Sequence, residues 1–463
     1  MIAIFLLACA ATPEVITEEL PQIPVASAMP VYEPPSPEVS TLANGLDLWV
    51  IEDHRLPLVS LRVILPGGSR TDPAEGWGTT YMATEMMEES AGERSTVEMS
   101  NAFGLLGADF WVTASREGVV VSLDVLTHRL EEALPLVADA LLRPTFDLED
   151  WERVKSLHLD SLDVDREEGD LMASEISRYA SYAEGNSMGW PVDGTPEMIG
   201  RVRLSDARSA WESWAVPGGA VLVAVGDIST EQLTAMVDTH FPGWEGEPPE
   251  AVPDEIQFAS PPRLLLLDFP GAQQTAVSVR GPGPSASELA AANVAMTVVG
   301  GSFTSRLNQL LREEKGYTYG AGAGIQEFSD HTLLSVWTSV RADATVEAIE
   351  DLLGVLAGVD LGFHEVEAEK GRAQILSGVL DGGATRGGLA RALRGPALRG
   401  QAPEILLERL KASHDVGTDA MRQSVGHLLD PGGLIVVLAG DRSVIEPALT
   451  EAGYVLEVVE LLP

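Results

Sequence analysis

Two small groups of residues have side chains whose types and spacing could do chemistry. The first lies in residues 76–90 (GWGTTYMATEMMEES), a run dense in polar side chains, and the second is Arg312 with Tyr319, seven positions on. The run from 76 reads as an amphipathic helix after a glycine turn. It is rich in polar groups but contains no histidine. The eight histidines are His54, His128, His158, His240, His331, His364, His414 and His427, and no two are three or four positions apart. No helix can therefore present two imidazoles to one transition metal. Glu85, Glu88 and Glu89 are close along the first run, a pattern that reads as a solvated face rather than a metal site. A guanidinium such as Arg312 can make bidentate bonds to a carboxylate or to backbone carbonyls, and a phenol such as Tyr319 can orient a carbonyl. The plain alternative is that Arg312 pairs with a nearby acid and Tyr319 packs on a strand. Gly300 and Gly301 suit a tight turn or a close backbone approach, but they lack the spacing and the Lys-Ser/Thr ending of a phosphate loop. There is no Gly-x-Ser-x-Gly elbow.

The elements that must position these residues follow from periodicity. Residues 46–51 and 59–65 read as strands, and Asn44-Gly45 as a turn before them. A helix is expected over 96–106 with Ser95 as its cap, strands over 109–115 and 118–126, and a helix over 129–142 that stops before Pro144. The second half repeats this order. Strands are expected over 264–267 and 275–279, helical segments over 286–299 and 303–312, a strand over 331–340 and a helix over 345–356. Each half also closes on an apolar strand ending in Gly-Asp, LVAVGD at 222–227 and IVVLAGD at 435–441. This order is an internal duplication. It predicts an α+β fold of two homologous halves, each a mainly antiparallel β-sheet packed with helices, spanning 41–240 and 263–463. The proline- and acid-rich run 241–262 reads as the linker between them.

Several separated motifs occur in order along the chain: LPGGSR with Asp72 and Gly76, the GAD before the strand pair, the L..P.F of 142–146, and GGSFTSRLNQLLREEKGYTYG at 300–320. On these, residues 41–461 resemble the insulinase/pitrilysin family of zinc metallopeptidases, in the two-half form of processing peptidases. Catalytic members carry an inverted His-x-x-Glu-His motif on the helix after the glycine turn. By that resemblance the first histidine falls at Tyr81, the base at Thr84 and the second histidine at Glu85. A phenol binds zinc poorly at neutral pH, and threonine cannot serve as the base, so no catalytic residue and no metal ligand is expected here. The third ligand would come from 152–170, with Asp160 or a near neighbour as the candidate. In two-subunit bacterial members the inactive homologue supplies an arginine and a tyrosine to substrate, and Arg312 and Tyr319 match that pair.

The resemblance implies a non-catalytic subunit of a heterodimeric zinc peptidase. It would form half of a peptide chamber and bind peptide or unfolded polypeptide, with no cofactor of its own and zinc in a homologous partner subunit. The rival expectations are a divergent zinc metalloendopeptidase and a standalone peptide-binding or structural envelope protein. Composition narrows the partners further. Seventy acidic against 30 basic side chains give a net charge of −40 over 463 residues, a field that repels nucleic acid and anionic headgroups. The lone cysteine, Cys9, closes the apolar run MIAIFLLAC, which resembles the lipobox of bacterial lipoproteins. Residues 1–9 are thus expected to be a signal ending at a lipidated Cys9, and 10–40, rich in proline, a tether. Membrane contact would come only through that anchor, on a periplasm-facing lipoprotein of the bacterial envelope.

Overall fold

The apolar strands Val221–Gly226 and Ile435–Gly440 are buried along their whole length, a state reached only inside a sheet covered on both faces. Each is the middle of a six-stranded sheet in the computed structural model, which describes residues 32–248, 255–260 and 263–463. Cys9 and residues 10–31 of the expected tether lie outside the described residues.

The first sheet contains β1 (Glu38–Thr41), β2 (Asp47–Glu52), β3 (Leu58–Pro66), β4 (Asp109–Ala114), β5 (Gly118–Leu126) and β6 (Val221–Gly226), in the order β1-β2-β6-β3-β5-β4. The second contains β7 (Arg263–Asp268), β8 (Gln274–Pro282), β9 (Thr318–Glu327), β10 (Thr332–Arg341), β11 (Ile435–Gly440) and β12 (Glu457–Val459), in the order β12-β7-β11-β8-β10-β9. Five strands of each sheet therefore follow one order, and the fold is α+β in two homologous halves. In both, the first and last strands of the repeat pair in parallel, β2 with β6 and β7 with β11, while β3, β5 and β4, like β8, β10 and β9, are antiparallel. The sixth strands differ. β1 enters from the N-terminal side and runs antiparallel to β2, whereas β12 comes from the C-terminal end and runs parallel to β7.

Three details depart from the sequence expectation. Glu38–Ser40, assigned to the tether, join Thr41 in β1, because the prolines end at Pro37 and leave each following residue an amide to donate. Phe241 and Trp244, at the start of the expected linker, are buried in the first-half core, where Trp244 Nε1 donates to Ala215 O at 2.9 Å. β9 was not anticipated at all: its run TYGAGAGIQE is weak in strand formers. Gly322 in that strand is required by packing, since a Cβ there would come within 2.3 Å of the Trp337 indole. Gly300 makes a close approach to the same strand, where a Cβ would lie 2.5 Å from Ala323 Cβ.

Strand alternation sends Leu46, Leu48 and Val50 into the core of the first half and Trp49 and Ile51 to the opposite face. That opposite face is covered by the second half: Leu389, Ala390, Leu393 and Ala397 of helix Arg386–Leu398 pack on Trp49, Ile64, Val120 and Val223. The exchange is reciprocal. Met172, Ala173, Ile176 and Ala180 of helix Gly169–Ser181, in the first half, pack on Leu265, Ala276, Val437 and Ala439 of the second sheet. Polar ties follow the same seam, with Arg70 donating to Asp330 Oδ2 at 2.8 Å and Ser329 N to Glu117 Oε1 at 2.7 Å.

Candidate functional site: a helix without its histidines

Helix Thr79–Met87 starts where Gly78 takes a left-handed φ of 97°. A Cβ at Gly78 would lie 2.6 Å from Ile199 Cδ1 and 3.0 Å from Asp193 O, so glycine alone fits. The first turn is capped by the buried Asp72, whose carboxylate accepts from Gly78 N at 2.9 Å, Thr80 N at 3.0 Å and Thr80 Oγ1 at 2.6 Å. This role explains the aspartate in the LPGGSR.D run, although the sequence reading assigned it none. The inner face is packed solid, with Met82, Ala83, Met86 and Met87 at 0% exposure, the flexible thioethers filling irregular space beside the sheet.

The other face carries the three positions of interest, and each is occupied. The Tyr81 ring lies against His158, with centroids 4.5 Å apart, and His158 Nε2 is 2.8 Å from Asp193 O. Burial, reinforced by the Glu85 carboxylate, holds the Tyr81 phenol well above its ordinary range, so a phenolate is disfavoured. Thr84 Oγ1 donates to Tyr81 O at 2.7 Å within its own helix, which leaves it no role as a base. Burial also raises the Glu85 carboxyl, partly opposed by a side-chain hydrogen bond with Tyr81 and by His158. A protonated phenol, a hydroxyl tied to backbone and a carboxyl engaged by that phenol do not fit the donor set of a zinc site. Among the described residues, no group of three His, Cys, Asp or Glu side chains is arranged to hold a metal ion. The candidate for the distant ligand needs correction. On helix Leu148–Asp165 it is His158 that is buried against Tyr81, while Asp160, two positions on and turned about 200° round the helix, is exposed.

The next turn adds a pH-sensitive contact. Glu88 Oε1 accepts from Val112 N of β4 at 2.7 Å, and burial, with Glu85 and Glu89 nearby, pushes its carboxyl up to about 7. The folded chain thus holds this proton more tightly than the unfolded chain. Its contribution to stability is complete below the free-glutamate value of about 4.3 and is lost as pH rises through about 7. More than a third of Glu88 remains in water, so solvent screening reduces the effect. Replacing it, Glu88→Gln, should flatten the fall of the urea midpoint over that pH window while keeping the acceptor for Val112. An unchanged slope would assign the titration to other groups.

In the second half, Arg312 and Tyr319 are not joined by any hydrogen bond or ring contact among the described residues. Arg312, on the wide π-helical turn Asn308–Glu314, lies 4.1 Å over the Phe303 ring and 3.6 Å from the Glu313 carboxylate. Tyr319 stands on the outer strand β9 with 90% of its surface exposed, so it is not packed on the sheet. It borders a cavity of about 440 Å³ between helix Gly169–Ser181 and the faces of β8, β9 and β10, together with Ser174, Arg280 and Trp337.

Residues 49–187 match the family model described as Insulinase (Peptidase family M16), and residues 201–375 match the one described as Peptidase M16 inactive domain. An uncharacterized zinc protease of Mycobacterium leprae is 26% identical over 356 residues, covering 74% of this chain and 78% of that protein. A non-peptidase homolog of Helicobacter pylori is 23% identical over 274 residues, covering 58% and 62% of the two chains. The crystal structure of a peptidase M16 inactive domain from Pseudomonas fluorescens superposes with a TM-score of 0.81 at 21% identity, over 88% of this chain and 98% of the other. Two adjoining models that together match well over half of the chain, on a duplicated fold of the same order, place this protein in the insulinase family of peptidases, family M16.

Proposed function

We propose that this chain is a non-catalytic subunit of a two-chain zinc peptidase, forming half of the chamber and binding peptide while a homologous partner supplies the metal and the base. One observation carries the reading. The helix that would carry zinc keeps its glycine turn, its Asp72 cap and its packing, yet its three chemical positions are a tyrosine in ring contact with His158, a threonine bonded to its own helix and a glutamate held by that tyrosine. The H. pylori relative named as a non-peptidase homolog supports it. Arg312 and Tyr319 are the proposed substrate contacts, and the exposed phenol at the cavity edge is consistent with that role. A lipidated Cys9, left as the mature N-terminus after removal of the signal, would anchor the subunit to the envelope, which a mass measurement of that N-terminus would test.

The function is tested by purifying the chain alone and together with a homologue carrying His-x-x-Glu-His. The lone chain should bind no stoichiometric zinc and cleave no peptide, and the pair should do both. Zinc and cleavage by the lone chain would overturn the assignment. In the reconstituted pair, Arg312→Ala or Tyr319→Phe should raise KM by about tenfold, the loss of roughly one charge-assisted or strong hydrogen bond, with assembly intact on gel filtration. Unchanged kinetics would remove these residues from the substrate path.

A further inference from the structure

We propose that the cavity beneath helix Gly169–Ser181 is a carboxylate-binding subsite, in which the Arg280 guanidinium pairs with a carboxylate of the bound peptide. This deepens the peptide-binding reading above and rests on it.

The cavity has a cationic floor that the protein itself leaves unneutralised. Arg280, on β8, lines it at 6% exposure; its Nε donates to Ser177 Oγ at 2.8 Å and its Nη2 to Ser174 Oγ at 2.9 Å, while Nη1 has no partner among the described residues. Two further buried arginines are near enough to repel one another and Arg280. Arg178 Nη2 donates to Gln326 Oε1 at 2.9 Å and its Nη1 is buried without a partner. Arg116 donates to Met188 O at 3.2 Å and Trp190 O at 2.8 Å. Each of these hydrogen bonds ends on a neutral acceptor, and none of the three arginines forms an ion pair among the described residues. Burial pulls Arg116 and Arg280 down to about 9, with the mutual repulsion of the arginines adding to it.

Buried guanidinium groups are ordinarily matched by carboxylates, and in a chain of net charge −40 acids are not scarce. The carboxylates near this cluster do not supply the match. Asp170, at the cavity rim, accepts from Ser339 Oγ. Glu175 acts on Arg116 and Arg178, and Asp193 on Arg116, only at a distance, and burial raises both carboxyls, that of Glu175 to about 7. A desolvated arginine with a free Nη at a cavity wall, accompanied by two more, is a preorganised partner for a carboxylate. Tyr319 and the half-exposed Trp337 give the same cavity an apolar and aromatic side for the rest of a peptide.

The carboxylate could be a free C-terminus or an acidic side chain, and three otherwise identical peptides separate the two: a free acid, its C-terminal amide, and an amide carrying one internal Glu. Calorimetric titration of the full chain should show at least one carboxylate peptide binding about 10- to 100-fold more tightly than the plain amide, the range expected of a hydrogen-bonded charge. In Arg280→Met that difference should vanish; Arg280→Lys, which keeps the charge but loses the fork, should retain part of it. The comparison in the natural chain requires no variant, so a misfolded substitution leaves the test intact. Equal affinity for all three peptides would overturn the subsite and leave peptide binding standing. No binding of any peptide would overturn both.

Discussion

A chain carrying Tyr81→His, Thr84→Glu and Glu85→His together should retain one zinc ion per molecule after gel filtration, and the natural chain none. The helix already supplies what such a site needs from its scaffold. Gly78 and Asp72 fix where it begins, and its methionine face fixes its rotation against the sheet. Histidines at 81 and 85 would then face helix Leu148–Asp165, where His158 lies in ring contact with position 81 and its Nε2 is oriented by Asp193 O. That backbone contact is of the kind that holds a ligating imidazole in place. His158 should therefore become the third ligand. Adding His158→Ala to the triple variant should lower zinc affinity by about 100-fold or more, since losing a ligand costs at least as much as losing a second-shell partner. Metal content by mass spectrometry, with circular dichroism to check the fold, would settle it. A folded triple variant without zinc would mean that the helix keeps the sequence position of a metal site but has lost its geometry.

The second large effect concerns the exchanged helices. Leu393→Ala should destabilise the chain by about 2–5 kcal/mol, as expected for a buried leucine whose neighbours cannot close the gap. Leu393 sits on a helix of the second half but is buried against the sheet of the first, so its loss should loosen both. Hydrogen-exchange mass spectrometry should show β6 and β11 losing protection together. As a control, Leu105→Ala, at a site 85% exposed, should change stability by less than about 0.5 kcal/mol. If protection fell only in β11, the halves would be separate folding units that merely touch.

Much of this protein is decided locally, and that part is legible in the sequence. Turn signals and alternating apolar residues place β2, β3 and β5, whose faces are written at a period of two along the chain, and unbroken apolar runs ending in Gly-Asp place β6 and β11. The repeated order predicts two sheets of one plan, and the residues at 81, 84 and 85 already argue against zinc chemistry through their side chains alone. What the sequence leaves open depends on contacts between residues far apart in the chain. Periodicity identifies an apolar helix face but not the sheet that will cover it, so the exchange of helices Gly169–Ser181 and Arg386–Leu398 across the halves is a tertiary fact. The glycine-rich β9 is a strand because it pairs with β10, and its Gly322 leaves room for the Trp337 indole. His158 rather than Asp160 faces Tyr81 because helix rotation is set by the packing of Trp151, Val154 and Leu162. Arg116, Arg178 and Arg280 are scattered over the sequence with nothing to link them. Only folding brings them together, where burial turns three ordinary arginines into an unmatched positive charge.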